Sequence, residues 1–484
     1  MCVGEGQERF STTRYRTARQ RPSNLLTAMR IERVRPTPCF RRLVIAGAAV
    51  IICLLFVLPR QSAAQDVSAD RLSETFRSVF DHILTLSLDG SPGQHGDHYI
   101  PAAARVNAEL APALNNLIAT NIASFPLSST VAGITFDFST GQPVRVVESL
   151  GPVFAETAQT LGDRKVTVGF NATYLGLSRL RNINLDELAF AFMHEDINEP
   201  GLGDQASELD VLHVQLGLNA SATIFAFYAT YGVAPNLDVG LAIPFVNVSL
   251  EGTSQSFIES FTLPAIGRAL HLFAGDPLNP TLVHQLDYSE TARGIGDVGL
   301  RLKYRLPGMT SGGVALLADV RLPTGDEADF LGTGEFSGRF VVIGSRRMGG
   351  FTPHLNLGYD YRGADFDSDE FEVAAGFDQQ LGSAFTFSLD VLGEFDLNKD
   401  ETIRLYPGTE TITYTDAETG GSASRVIRLS NVANRWHDNT LRLATGVRVA
   451  PTERFQLLGN VLVPLTDGGL YSTVTPTVGL SVVL

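Results

Sequence analysis

The feature that most constrains this chain is a strict alternation of apolar and polar side chains, held through long runs of its second half. In one run Val298, Leu300, Leu302, Tyr304 and Leu306 alternate with Gly299, Arg301, Lys303 and Arg305. In another, Phe351, Pro353, Leu355, Leu357, Tyr359 and Tyr361 alternate with Thr352, His354, Asn356, Gly358, Asp360 and Arg362. Period two is the mark of a pleated strand with one apolar face. Sandwich strands average about 5 to 6 residues, whereas a tilted strand that crosses a bilayer needs about 9 to 11. The runs here match the second length. Their polar face mixes Gly, Thr, Ser, Asn, Asp and Arg, and only three lysines, Lys165, Lys303 and Lys399, occur anywhere in the chain. That face suits the lining of a lumen better than an open surface.

The longest apolar run, Leu43 to Leu58, follows Arg41 and Arg42 and precedes Ser62-Ala63-Ala64. A basic stretch, a short apolar core and small residues form a cleavable export signal, so residues 1–64 are expected to be a presequence cut after Ala64. The leader is long if translation starts at Met1 and ordinary if it starts at Met29. It removes 11 of 37 basic and 3 of 52 acidic residues, taking the net charge from -15 to 26-49=-23. It also removes Cys2, Cys39 and Cys53, every cysteine of the chain. A mature chain with this acidic balance is no nucleic-acid binder, and it has no disulfide or thiolate metal site.

Up-and-down strands are expected near 164–178, 208–232, 237–250, 294–306, 312–322, 337–348, 351–362, 369–380, 383–396, 436–449, 452–465 and 471–484. The connections between them alternate short and long, as in bacterial barrels with short periplasmic turns and long outer loops. The class is therefore all-β, a transmembrane antiparallel β-barrel of about twelve strands at 164–484, with an N-terminal α-helical segment. A hairpin within the connector 128–163, at Thr130–Ser139 and Val144–Glu148, would raise the count to fourteen. Along 208–232 the apolar parity changes between Leu218 and Phe225, which predicts a bulge near Asn219 to Ala222. In the segment 65–127 the spacing of Leu72, Phe76, Val79, Phe80 and Ile83, and of Val106, Leu110, Leu114, Leu117 and Ile118, predicts two amphipathic helices. They would either plug the lumen or dock beneath it.

Candidate chemistry is thin. Gly294-Ile295-Gly296-Asp297-Val298-Gly299 has the outline of a dinucleotide loop but leads into a strand instead of a helix. His194-Glu195 has Asn198 where a zinc protease needs its second His. Asp396 to Pro407 lacks the glycine and the bidentate glutamate of a calcium loop. Asp365, Asp367, Asp369 and Glu370 read as a solvated acidic loop. No histidine has Ser two residues on and there is no Gly-x-Ser-x-Gly, which argues against an enzyme. No cofactor and no metal site are expected.

Four stretches carry a resemblance: Gly151-Pro152-Val153-Phe154-Ala155-Glu156 with Thr160-Leu161-Gly162; Ala229-Thr230-Tyr231-Gly232-Val233 with Leu237-Asp238-Val239; Gly294-Ile295-Gly296-Asp297-Val298; and Ala318 to Asp326. They resemble the outer-membrane "MetA-pathway of phenol degradation" family, which is similar in concept to the FadL and TodX channels for hydrophobic compounds. The resemblance implies an outer-membrane barrel of a Gram-negative cell and transport of small hydrophobic or aromatic compounds. It departs from such barrels in ending at Leu484 instead of an aromatic residue, and from FadL channels in having no Asn-Pro-Ala plug motif. Expected partners are outer-membrane lipid, lipopolysaccharide, the barrel-assembly machinery and a small-molecule solute, with no nucleic acid. Expected lumen-lining residues are Arg301, Lys303, Arg305, Asp319, Arg321, His354, Asn356, Asp360, Arg362, Glu372, Asp378, Asp390, Glu394, Arg442 and Arg448, with His213 read as inward too. A lipid-modifying barrel enzyme and a non-conducting structural barrel are the alternatives.

Overall fold

The computed structural model describes residues 71–84, 99, 102, 105–124, 135–137, 144–146, 154–196, 202–308, 312–363, 368–382, 384–398, 408–416, 419–433, 435–452 and 455–483. The expected presequence 1–64 and its expected cleavage site lie outside the described residues. Twelve strands close into one antiparallel ring: β1 Val166–Leu180, β2 Val211–Ala234, β3 Leu237–Glu259, β4 Val298–Arg305, β5 Gly312–Leu322, β6 Ser337–Arg346, β7 Phe351–Arg362, β8 Glu370–Leu381, β9 Phe385–Asp396, β10 Thr440–Val449, β11 Phe455–Pro464 and β12 Thr475–Val483. Each strand pairs with its chain neighbours, and β12 pairs with β1 through Val478↔Ala172 and Leu480↔Phe170 to close the ring. Closure leaves no strand edge around the ring, which is what a sheet in lipid requires. The hairpin of Thr135–Asp137 with Val144–Val146 forms its own two-stranded sheet outside the ring, so the count is twelve and not fourteen. No helix among the described residues is long and apolar enough to cross a membrane.

The outward face carries the apolar half of the alternation. Leu300, Leu302, Val342, Leu355, Leu357, Val447 and Leu457 are 40–47% exposed. Aromatic residues rim this belt at both ends, with Tyr231, Phe385 and Phe455 near the short turns and Tyr174, Phe340, Tyr359 and Tyr361 towards the long loops. An apolar band between two aromatic girdles is the surface that lipid selects.

On β3 the band ends at Phe245, and the outward residues beyond it are Asn247, Ser249, Glu251, Thr253 and Gln255. The outer halves of β2 and β3 therefore rise past the belt. They are flanked there by Leu188–Met193, which pairs with β2, and by Val283–Ile295, which pairs with β3. The spans 179–207 and 251–293, expected as loops, thus contain strands: Leu188–Met193 is apolar on both faces and shows no alternation, and along 251–293 the outward face above the lipid turns polar so that the alternating signal inverts. The same inversion explains β2. Its strand is continuous from Val211 to Gly232 with no bulge at 219–222, and its one register shift falls at Gly232/Ala234. Even-numbered residues point inward throughout. Near the long loops these are Leu212, Val214, Leu216 and Leu218, packed against helices, while the outward side holds Gln215 and Asn219. Within the belt Phe227 and Tyr231 point out to lipid, 57% and 45% exposed. The change of parity records a change of surroundings on each face and not a backbone fault. His213 accordingly faces outward, stacked on Phe257 and 3.0 Å from Glu259, and is not a lumen residue.

Two helices, α1 Thr75–Leu84 and α2 Ala111–Ala123, fill the mouth at the long-loop end. Phe76, Val79, Phe80 and Ile83 are fully buried, with Phe80 meeting the edges of Phe190 and Phe192 at 6.1 Å. A π-helical turn at Val106–Leu110 leads directly into α2, and Pro112, which has no N–H to donate, follows it at the point where the helix changes its hydrogen-bond spacing. Arg71 pairs with Asp326 and Asp329 of the loop after β5, and Arg321 donates to the carbonyl of Ala123 at the end of α2. That places a cation on the negative end of the helix dipole.

Candidate functional site

The interior is built on one arc of the ring. Inward positions of β4 to β10 hold nearly every ionisable side chain of the wall. Among the described inward positions β11 and β12 hold none, nor does β1 from Thr167 to Leu177, β2 holds only the phenol of Tyr228, and β3 adds Asp238. The charged arc forms a ladder. Lys303 and Arg301 of β4 bind Glu156 at 2.8 and 3.0 Å, and Arg301 also reaches Asp319 of β5 at 2.7 Å. Asp319 is shared with Arg339 of β6, which extends to Glu372 of β8 at 3.4 Å. Arg362 binds Asp360 and Glu370, and Arg442 binds Glu394 at 2.8 Å. Opposite charges stand in register across the strands, as in Arg301↔Asp319, Asp319↔Arg339 and Arg339↔Asp360.

Two glycines let this ladder skip a strand. Gly358 of β7 lies between Arg339 and Glu372, and a Cβ there would stand 3.0 Å from Glu372 Oε2. Gly376 of β8 lies between His354 of β7 and Asp390 of β9, which meet at 2.6 Å. A Cβ on Gly376 would overlap Asp390 Oδ1 and the Leu389 carbonyl. His354 also faces Asp378 at 4.0 Å, all three side chains fully buried near the short-turn end.

Residues 154–162 run through the lumen as a strap. Glu156 N–H donates to Asn356 Oδ1 (2.7 Å), and Asn356 Nδ2 donates back to the Glu156 carbonyl (2.8 Å). Ala158 N–H donates to Ser345 Oγ (2.9 Å) and Leu161 N–H to Asp238 Oδ2 (2.8 Å). These contacts give the stretches singled out in the sequence a physical role. The Gly151–Gly162 stretch supplies the strap, and Asp238 receives it. Gly232 must be glycine because any Cβ would strike the Gly162 carbonyl. The remaining two stretches clasp each other. Asp297 accepts from Gly325 N–H (2.9 Å) and Thr333 N–H (3.0 Å), while Thr324 Oγ1 donates to the Gly296 carbonyl (2.8 Å). The Gly-x-Gly outline is thus a loop clasp, not a nucleotide cradle.

Between the end of α2 and the strap lies an open chamber lined by Thr120, Ser124, Phe154, Glu156, Arg321 and Arg339, with Asp360, Arg362, Glu372 and Glu394 on its charged side. A second open space flanks α2 between Asn116, Asn121, Glu394, Arg442 and Ser472. The fifteen residues expected to line the lumen all fall on inward positions of β4, β5, β7, β8, β9 and β10. Arg301, Lys303, Asp319, Arg321, Asp360, Arg362, Glu372, Glu394 and Arg442 join the ladder or the chamber. Arg305, which donates to the Gly312 carbonyl, His354, Asp378, Asp390 and Arg448 lie nearer the short turns, and Asn356 clamps the strap. Sequence reasoning passed over Glu156, Asp238 and Arg339. Arg339 was legible from its parity on β6, but Glu156 lies outside any strand and periodicity is blind to it.

Near the mouth, outside the ring, Asp210 binds His271 Nδ1 at 2.6 Å, and Tyr99 donates to the Asp210 carbonyl. Burial pushes the Tyr99 phenol well above its ordinary range. Among the described residues no group of three or more His, Cys, Asp or Glu side chains is placed to hold a metal ion.

Residues 197–462 match the family model described as "Putative MetA-pathway of phenol degradation", more than half of the 484 residues. No curated protein matches the chain. Among solved structures it is similar to an outer membrane channel from Pseudomonas putida F1, at 11% identity and a TM-score of 0.35 over 68% of this chain and 98% of that one. A FadL homologue from Pseudomonas aeruginosa is 8% identical with a TM-score of 0.29, over 66% and 90%. The toluene transporter TbuX from Ralstonia pickettii is 9% identical with a TM-score of 0.23, over 68% and 89%.

Proposed function

The chain belongs to the family "Putative MetA-pathway of phenol degradation", and on that premise we propose that it is an outer-membrane channel for passive passage of small compounds in a Gram-negative cell. One observation carries the reading: a closed lipid-facing ring encloses a polar, ionised chamber that is stopped on one side by α2 and on the other by the strap 154–162. A wall built only for stability would fill its interior with side chains. Here the filling comes from segments outside the wall, two helices seated by apolar packing and a strap held by a few polar contacts, which suits a movable stopper. In this reading residues 1–64 are an export signal, 65–127 a plug, 128–163 a connector and 164–484 the barrel. The short turns face the periplasm, and assembly proceeds through the barrel-assembly machinery into lipid and lipopolysaccharide. The fifteen inward residues named above line the route, and neutral aromatic or hydrophobic compounds are within its range.

Conductance of the refolded mature protein in planar bilayers, with uptake of small solutes into liposomes, tests the proposal. Discrete ion currents, enlarged by deleting residues 65–127, are expected. Silence of both proteins would refute the channel, and hydrolysis of phospholipid or lipid A by the purified chain would replace it with an enzyme.

A further inference from the structure

Two independent features bear on which solutes the lumen favours. The first is the split of the wall. Beside the ionised arc of β4 to β10, the facing arc presents Asn460, Thr477, Thr173, Ile224, Ala226 and the phenol of Tyr228, with no carboxylate, guanidinium, ammonium or imidazole on the described inward positions of β11, β12 and β2 or on those of β1 from Thr167 to Leu177. A solute between the arcs meets charge on one flank and hydroxyl, amide and apolar groups on the other.

The second is the charge of the two ends. The described residues of the long connections, 181–196, 202–210, 260–282, 323–336, 363, 368–369, 397–398, 408–416, 419–433, 435–439 and 465–474, hold 17 acidic and 5 basic residues. The described residues of the short turns, 235–236, 306–308, 347–350, 382, 384 and 450–452, with 163–165 before β1, hold 1 acidic and 3 basic residues. Within the ladder six carboxylates face five cations, close to balance, so the sign preference is set mainly at the mouth. A mouth of one sign raises the local concentration of the opposite ion and speeds its capture.

Resting on the channel reading, we propose that the route selects small amphiphilic cations, an ammonium or guanidinium head on an apolar or aromatic body. The head follows the carboxylates of the charged arc and the body follows the neutral arc.

The test uses the full mature chain and two permanently charged probes of similar size, benzyltrimethylammonium and benzenesulfonate. Reversal potentials should show at least about threefold preference for the cation at 0.1 M salt, where the Debye length is about 10 Å, and a ratio near one at 1 M, where it is about 3 Å. Glu372→Gln with Glu394→Gln leaves Arg442 without its carboxylate and Arg339 with Asp319 alone, and should remove or invert the preference. A second pair, Glu335→Lys with Glu410→Lys, alters only exposed groups of the long connections and should lower the ratio without touching the ring. Calorimetry of both probes with the detergent-solubilised chain separates the two claims. Cation binding without any current retains the solute class and defeats the channel. Current with equal or anion-favouring permeability retains the channel and overturns the solute class. Neither binding nor current overturns both.

Discussion

Replacing Glu156 with glutamine keeps the shape of the strap and removes the one charge that faces both Lys303 and Arg301. Lys303 is only 2% exposed and would be left without its counter-ion, whereas Arg301 keeps Asp319. Removing one partner of a buried pair costs about 3 to 5 kcal/mol. The surviving Arg301–Asp319 contact and a polar lumen reduce this to about 2 to 3 kcal/mol, or roughly 30- to 150-fold in the population of undocked strap. The two Asn356 hydrogen bonds remain and keep the strap docked for most of the time. Hydrogen exchange read by mass spectrometry reports this directly, because the amides of Glu156, Ala158 and Leu161 donate to side chains of the wall. Their exchange should quicken by that factor while the ladder amides of β4 to β8 stay protected. Unchanged exchange at 154–162, or an equal loss of protection around the whole ring, would refute the reasoning. Adding Lys303→Met should recover much of the loss, since the uncompensated buried charge then disappears.

Gly376→Ala should push Asp390 from His354 and cost about 1 to 3 kcal/mol by overpacking, read as a lower midpoint in urea titrations of the refolded barrel. Phe80→Ala should weaken docking of α1 by about 3 to 5 kcal/mol, exposing residues 75–84 to protease while the barrel's own denaturation midpoint moves little. Leu355→Arg, in the middle of the apolar belt, should destabilise insertion by about 2 to 4 kcal/mol, whereas Gln255→Arg above the belt should change it by about 0 to 1 kcal/mol; equal effects would misplace the membrane boundary. Arg435 hydrogen-bonds Asp467 and holds its carboxyl below the usual carboxylate range. A depressed folded pKa means that the contact stabilises fully above the unfolded value of about 3.9 and is lost as pH falls through the folded one. Proteolysis of the loop at 465–474 should therefore rise only in strong acid, and Arg435→Gln should abolish that pH dependence.

The parts of this protein that periodicity can see were legible in the chain. Twelve alternating runs, their order, the side of each strand that meets lipid and the inward parity of residues such as Arg301, Asp319 and Arg362 follow from a side-chain repeat of two and one greasy solvent. The same rule misled where the surroundings changed. Leu212 to Leu218 turn inward onto helices above the lipid, so a continuous strand looked broken, and His213 was placed on the wrong face. Only the tertiary structure decided that the hairpin at 135–146 stays out of the ring and that α1 and α2 sit in the mouth. It alone brought Glu156, some 150 residues before its partners in β4, to close the ladder. Alternation reports which face of a strand is apolar, and it carries no record of what non-periodic segments do. Where the strap and helices lie is set by contacts such as Glu156 with Lys303 and Arg321 with the end of α2, which exist only once the ring has closed.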